Sequence, residues 1–274
     1  MILDVKSLDI LNKMQDKIIA FWLYTSLLLG GLIIFPFIAL IAYSALNVHF
    51  DASNNQILIE SLKLTLTTSI ISLFITLILG TPLAFILTSS ENKFFKSLTS
   101  LIQFPIFIPP TVAGISLILF FNNVNFISDM FSMIGLDVPF SVFAVIIAQV
   151  FVSSPFYIRT LQVGIANFQK SYTESALMLG ATSLKNVVFV LIPNLRNSII
   201  VGALLSWSRS VGELGATLIF AGNIVGVTQT MPLAIISSFE DVNGFNTAVT
   251  IALISIIISG IIVVCISYIN ETLS

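Results

Sequence analysis

The chain has 274 residues, of which 57% are hydrophobic and only 9% are charged, with a mean hydropathy of +1.06. Soluble globular domains carry about 25% charged residues, so a soluble, a collagenous and a disordered chain are all excluded and an integral membrane protein is indicated. The formal net charge of -2 offers no broad basic surface for nucleic acid, and Cys265, the single cysteine, rules out an intrachain disulfide and argues against a metal cluster.

Residues 1–18, MILDVKSLDILNKMQDKI, mix acids and lysines with Leu and Ile. The apolar run behind them is too long for a cleavable signal, so they read as a cytoplasmic segment, either an amphipathic helix or a frayed tail. Crossing about 30 Å of hydrocarbon takes about 20 helical residues. Runs of that kind fall at Ile19–Leu46, Ile57–Leu87, Leu98–Phe121, Phe140–Val163, Ser198–Ala221 and Ala248–Ile269. The expected fold is therefore all-α and polytopic, with six transmembrane helices. Pro105, Pro109 and Pro110 interrupt the third run, which predicts a kinked or partly unwound span beside protein or a water-filled path. His49, the one histidine, falls in a polar connection and reads as an ordinary loop residue.

With the N-terminus inside, the cytoplasmic segments hold Lys6, Lys13, Lys17, Lys93, Lys96, Arg159, Lys170, Lys185 and Arg196, nine of the 11 basic residues. Lys63 falls near the outer end of the second run and Arg209 within the fifth, while Asp51, Asp129, Asp137, Glu240 and Asp241 fall outside. Six spans bring both termini to the cytoplasm: a segment at 1–18, a transmembrane domain at 19–269 and a tail at 270–274. No phosphate loop, zinc-protease motif or catalytic triad occurs, so the chain reads as a non-enzyme without a cofactor, and energy-driven work needs a partner or an ion gradient.

The polar stretch 168–195 interrupts this pattern. Ser171 followed by Glu174 fits a capping box, Ala176 to Leu179 supply helix formers, and Gly180 can end the helix at positive φ. A helix of about eight residues is expected, then a second one capped by Ser183 and rising through Lys185 to Pro193. Patterning leaves open whether the first helix lies on its own protein or in a partner's groove, since short isolated helices are marginal in water.

Glu174, Ser175, Ala176, Gly180, Val190, Leu191, Ile192 and Pro193 resemble, at their spacing, the EAA motif of importer-type ABC permeases. Ser175 stands at the first alanine of that motif and Ala176 at the second. The resemblance implies a coupling helix that enters a cleft of an ATP-binding subunit, with Glu174 and Gly180 defining the contact. Ser208 to Thr217, the run Phe220–Asn223, Thr228 to Ile235, and FPIFIPPTVAGISL from Phe104 to Leu117 resemble the molybdate and tungstate permease branch. Sulfate permeases are close relatives of that branch and stand as the alternative. The same resemblance implies a second copy of this chain, two cytoplasmic subunits that bind ATP and Mg, and an extracytoplasmic oxyanion-binding protein.

Arg209 and Glu213 are four apart, hence on one helix face, and pairing would reduce the cost of either charge in the membrane. They read either as a structural pair or as part of a pathway in which Arg209 meets an entering oxyanion. Pro109, Pro110, Thr111 and Gly114 in the third run, with Ser206 and Thr217 in the fifth, read as packing residues or as a gate. A gradient-driven carrier should show paired repeats and matching broken helices; only one proline-broken run is visible. A scaffold without transport would leave Arg209 and Glu213 replaceable by apolar residues.

Overall fold

The structure is a computed structural model and describes residues 5–47, 52–90, 92–124, 138–168, 170–242 and 244–273. Among these residues every regular element is helical. His49, Asp51, Asp129 and Asp137 lie outside the described residues. The chain divides into two units, 1–49 and 50–274.

The first unit is one helix, α1 (Val5–Asn47), 43 residues long, in which the apolar stretch Ile19–Leu46 follows residues 5–18 without a break. Its large side chains, Trp22, Leu28 and Phe35 among them, are exposed, as a lipid-facing surface requires.

The second unit begins with α2 (Ala52–Ser89), followed by α3 (Lys93–Gln103), a single 3-10 turn at Phe104–Ile106, and α4 (Pro110–Asn123). Then come α5 (Val142–Asn167), α6 (Lys170–Met178), α7 (Ser183–Asn186), a π-helical turn at Val187–Leu191 and a helical turn at Ile192–Asn194. The unit closes with α8 (Arg196–Val211), α9 (Gly215–Phe220), α10 (Met231–Glu240) and α11 (Phe245–Leu273). The helices α1, α2, α5 and α11 are long and apolar enough to cross a bilayer, and each coincides with a predicted run.

The third and fifth runs are not continuous helices. In the third, α3 and α4 are bent by 115°. Pro109 is extended, Pro110 opens α4, and neither supplies the N–H that would carry the ladder across. The 14 residues of α4 reach only about 21 Å at 1.5 Å per residue. In the fifth, α8 ends at Val211, Gly212 to Leu214 leave helical geometry, and α9 restarts at Gly215. The stretch Val187–Asn194 is itself bent by 62° against α8. Six spans are reached when each bent pair counts as one.

The helix α10 was not expected, since 222–247 read as an outer connection. Thr230 and Pro232 open it, Met231 donates its backbone N–H to Thr65 Oγ1 of α2 at 2.8 Å, and Met231, Ala234 and Ile251 form a core with Leu62 and Ile254 packed against it. Its 10 residues are too short to span, and it fills the space between α2 and α11.

The rigid centre is the crossing of α2, α5 and α8. Tyr157 of α5 is fully buried, its hydroxyl lies 2.6 Å from Thr81 Oγ1, and its ring sits against Gly80 of α2 and Gly202 of α8. Further along, Trp207 Nε1 donates to Ser69 Oγ at 3.0 Å and Ser210 Oγ lies 3.4 Å from Ser72 Oγ. Trp207 is thus a packing residue. Hydroxyl pairs of this kind join helices where lipid offers no other partner.

Candidate functional site

The two broken spans meet at their breaks. A Cβ added to Gly114 of α4 would lie 2.8 Å from Ile219 Cβ and 2.9 Å from the Ala216 carbonyl oxygen of α9. One added to Gly215 would lie 2.8 Å from Pro110 Cβ and 3.2 Å from the Thr111 nitrogen. The starts of α4 and α9 therefore touch backbone to backbone, which only glycine permits. Around this contact Ala113, Leu117, Phe121, Ala144, Ala148 and Phe220 form a buried apolar cluster.

Glu213 sits in the turn between α8 and α9 with its side chain wholly buried. One carboxylate oxygen, Oε1, accepts the Ala216 backbone N–H at 2.8 Å, and the other, Oε2, lies 2.7 Å from Arg209 Nη2. The expected pair exists, but Glu213 lies beyond the end of α8 and caps the next helix rather than sharing a helix face. A carboxylate at a helix start meets free N–H groups and the positive end of the dipole. The Arg209 side chain keeps 28% of its surface exposed, so the positive charge opens to the exterior of the chain while the negative one does not.

The other predicted pathway residues divide. Pro109 and Thr111 are exposed, Pro110 is half-buried, and Gly114 is a contact point. Ser206 and Thr217 are wholly buried, and their hydroxyls find no hydrogen-bond partner among the described residues. Residue types alone do not separate exposed from buried members, because proline and hydroxyl side chains occur on both faces of a packed helix.

The second cluster is the loop around α6. Gly180 has φ +83°, and the Ala181 N–H reaches back to the Ala176 carbonyl at 3.0 Å, which closes the helix as a Schellman end. Ser171 lies in the first turn of α6 rather than before it. Thr182, one residue ahead of the expected Ser183, caps the following turn by accepting the Lys185 N–H at 3.4 Å. Glu174, Ser175 and Pro193 are exposed and Ala176 is half-buried. Met178 and Leu179 stand almost fully exposed, at 88% and 89%, beside Gly180, whose surroundings are open within 4 Å.

This loop is tied to the helices behind it. Phe168 and Tyr172 are in contact with ring centroids 5.8 Å apart and planes tilted by 46°, and a cavity of about 700 Å³ is lined by Arg159, Asn167, Tyr172, Asn194, Asn197 and Ser198 among others. Tyr172 of α6 is thereby in contact with the residue that follows α5. Among the described residues no group of acids, cysteines and histidines could hold a metal ion.

Comparison with known proteins accords with this geometry. Residues 77–271 match the family model described as "Binding-protein-dependent transport system inner membrane component". The chain is 40% identical to the probable transport system permease protein NifC of Clostridium pasteurianum over 77% of its own length and 74% of that protein. It is 34% identical to the molybdenum transport system permease protein ModB of Mycobacterium tuberculosis, covering 74% of this chain and 76% of the other. Identity to the sulfate transport system permease protein CysT of Salmonella typhimurium is 29%, covering 77% and 76%. In fold, the chain is similar to a chain of a bacterial alginate ABC transporter solved with its periplasmic protein, at TM-score 0.67 and 19% identity, over 93% of this chain and 95% of that one.

Proposed function

The chain belongs to the family of binding-protein-dependent transport system inner membrane components, a multi-pass ABC importer permease rather than an enzyme, and from that premise we propose that it forms the translocation path for molybdate or tungstate. Two copies would enclose the path about a two-fold axis. Both termini and α6 would face the cytoplasm, where two partner subunits bind ATP and Mg and this chain holds neither. An extracytoplasmic binding protein would deliver the oxyanion to the opposite face.

The observation that carries this reading is the exposed end of α6. Met178, Leu179 and the open left-handed Gly180 form a short apolar projection suited to a groove, with Glu174 and Ser175 exposed beside it. ATP-driven closure of the partner subunits would push α6, the Phe168–Tyr172 contact would pass that displacement to the end of α5, and the packing of Tyr157 against Gly202 would pass it from α5 to α8. From α8 it would reach Arg209, Glu213 and the contact between α9 and α4. Arg209 would meet the anion while Glu213 keeps the pair nearly neutral, which suits passage, since a site that holds its ion tightly cannot release it. Affinity would then reside in the external binding protein.

The cargo rests on the stretch Ser208–Ile235 and on the higher identity to a molybdenum permease than to a sulfate permease. The sulfate reading stands as the second choice because of that same relative. Competition between molybdate, tungstate and sulfate for uptake through the reconstituted complex decides it. The expected result is that molybdate and tungstate each abolish uptake of the other while sulfate at equal concentration leaves it unchanged; strong competition by sulfate would move the chain to the second reading.

A further inference from the structure

The cavity of about 700 Å³ behind α6 carries a chemistry that the proposed coupling does not use. Arg159 of α5 lines it, with Asn167 from the end of that helix, Tyr172 from α6, and Asn197 and Ser198 from the first turn of α8. Arg159, Val163 and Asn167 follow one another at intervals of four, hence on one helix face, and all three are exposed. The same three residues also line a neighbouring cavity of about 430 Å³, to which α3 contributes Lys96. The two cavities therefore adjoin across Arg159, and among the described residues no acid lines either of them.

Arg159 stands where an unpaired charge is costly. The span that contains it runs from Val142 to Asn167, and Arg159 lies eight residues before its end, about 12 Å at 1.5 Å per residue. Arg209 is neutralised by Glu213 at 2.7 Å, whereas Arg159 forms no ion pair or hydrogen bond with a described residue. Asn167, Tyr172 and Ser198 likewise make no side-chain hydrogen bond with a described residue, so their N–H and O–H groups are free to donate into the cavity. An ionisable residue left unpaired inside a span marks an ion path rather than a packing contact.

Tyr157 meets Gly202 and Gly164 meets Ser198, so α5 and α8 run antiparallel and Arg159 falls between those two contacts. Arg209 lies seven residues beyond Gly202, which sets it about 10 Å farther along α8. We propose that Arg159 and the free donors around it form a second station for a tetrahedral oxyanion, on the α6 side of Arg209. Such an anion offers only acceptors to these donors, while a cationic ligand would be repelled by Arg159 and Lys96. Because Arg159 lacks the counter-charge that Arg209 has, the second station attracts the anion more than the first and draws it toward the α6 end. Its opening to solvent keeps the hold weak, as release requires. The inference rests on the oxyanion path proposed above and adds where the anion goes after Arg209.

Thiol protection in the full transporter, with the partner subunits present and labelling read on this chain, tests the station. Val163→Cys, at an exposed position that lines both cavities, is made in a Cys265→Ser background and reacted with a maleimide. Sodium tungstate should slow the labelling, and sodium chloride at the same ionic strength should not. Arg159→Gln should raise the tungstate concentration for half-protection about tenfold, equivalent to about 1.4 kcal/mol, whereas Arg159→Lys should keep most of the protection. Equal effects of tungstate and chloride, or protection that survives Arg159→Gln unchanged, overturn the proposal. Protection by phosphatidylglycerol in the detergent micelle without protection by tungstate also overturns it, since that marks a lipid-phosphate site. The uptake competition reads separately. Tungstate that is taken up yet gives no protection removes the station alone; sulfate that is the cargo and also protects leaves the station standing and removes only the molybdate reading.

Discussion

Glu213 carries two jobs on one buried carboxylate, and each can be removed separately. Glu213→Gln keeps an acceptor for the Ala216 N–H but leaves Arg209 without its counter-charge, whereas Glu213→Ala removes both. Loss of a helix cap costs about 1 kcal/mol, and an unpaired charge within the spans costs more than a cap does. Thermal unfolding in detergent should therefore rank wild type above Gln and Gln above Ala. Uptake should fall in both variants, since both leave Arg209 unneutralised and able to hold an anion. A Gln variant that melts lower yet transports at the wild-type rate would make the pair structural only. The pairing itself was readable from a spacing of four. The break between the partners was not, because the carboxylate that stabilises it looks in sequence like an ordinary helix-face partner.

Among the elements, α6 was the most readable, because caps and glycine ends are local chemistry. Even there the details shifted by a residue: Thr182 rather than Ser183 caps the next turn, and Ser171 falls inside α6. By contrast, α10 gave no usable signal, since its 10 residues, Ser237, Ser238 and Glu240 among them, are too few for a span and are held by Thr65 and Ile251, contacts distant in sequence. Gly180 supplies the test at this scale. Its φ of +83° makes any side chain cost about 1 kcal/mol, but its surroundings within the chain are open, so Gly180→Leu should fold and insert. The added side chain projects from the surface proposed to enter the ATP-binding subunit. Pull-down of that subunit and uptake should both drop by about tenfold or more, equivalent to a loss of at least 1.4 kcal/mol, while the melting temperature of the isolated permease falls only slightly. Normal assembly and normal transport would detach α6 from the coupling role.

The second unit combines a rigid crossing with a divided one. At α2, α5 and α8 the contacts are large side chains and hydroxyl pairs around Tyr157; at α4 and α9 two helix starts also touch through their glycines, with Phe121 against Phe220 beside them. Prolines announced the first interruption in the sequence, while the contact between the two breaks is tertiary and left no local mark. Two glycines separate these regions experimentally. At Gly114 a Cβ would meet a backbone carbonyl at 2.9 Å, which cannot move without shifting α9. At Gly202 it would meet the Tyr157 ring at 3.1 Å and Thr160 Cβ at 3.2 Å, inside the rigid crossing. Overpacking costs about 1–3 kcal/mol, so Gly114→Ala, with contacts below 3.0 Å, should lower thermal stability more than Gly202→Ala, whose nearest contact is 3.1 Å. Their effects on uptake should differ: Gly114→Ala displaces α4 from α9 beside Arg209 and Glu213, and uptake per folded molecule should collapse, whereas Gly202→Ala should retain most of it. ATP hydrolysis by the partner subunits should persist in both, because α6 is untouched. If uptake per folded molecule falls equally in the two variants, the α4–α9 contact is no more a part of the gate than any other packed crossing in the chain.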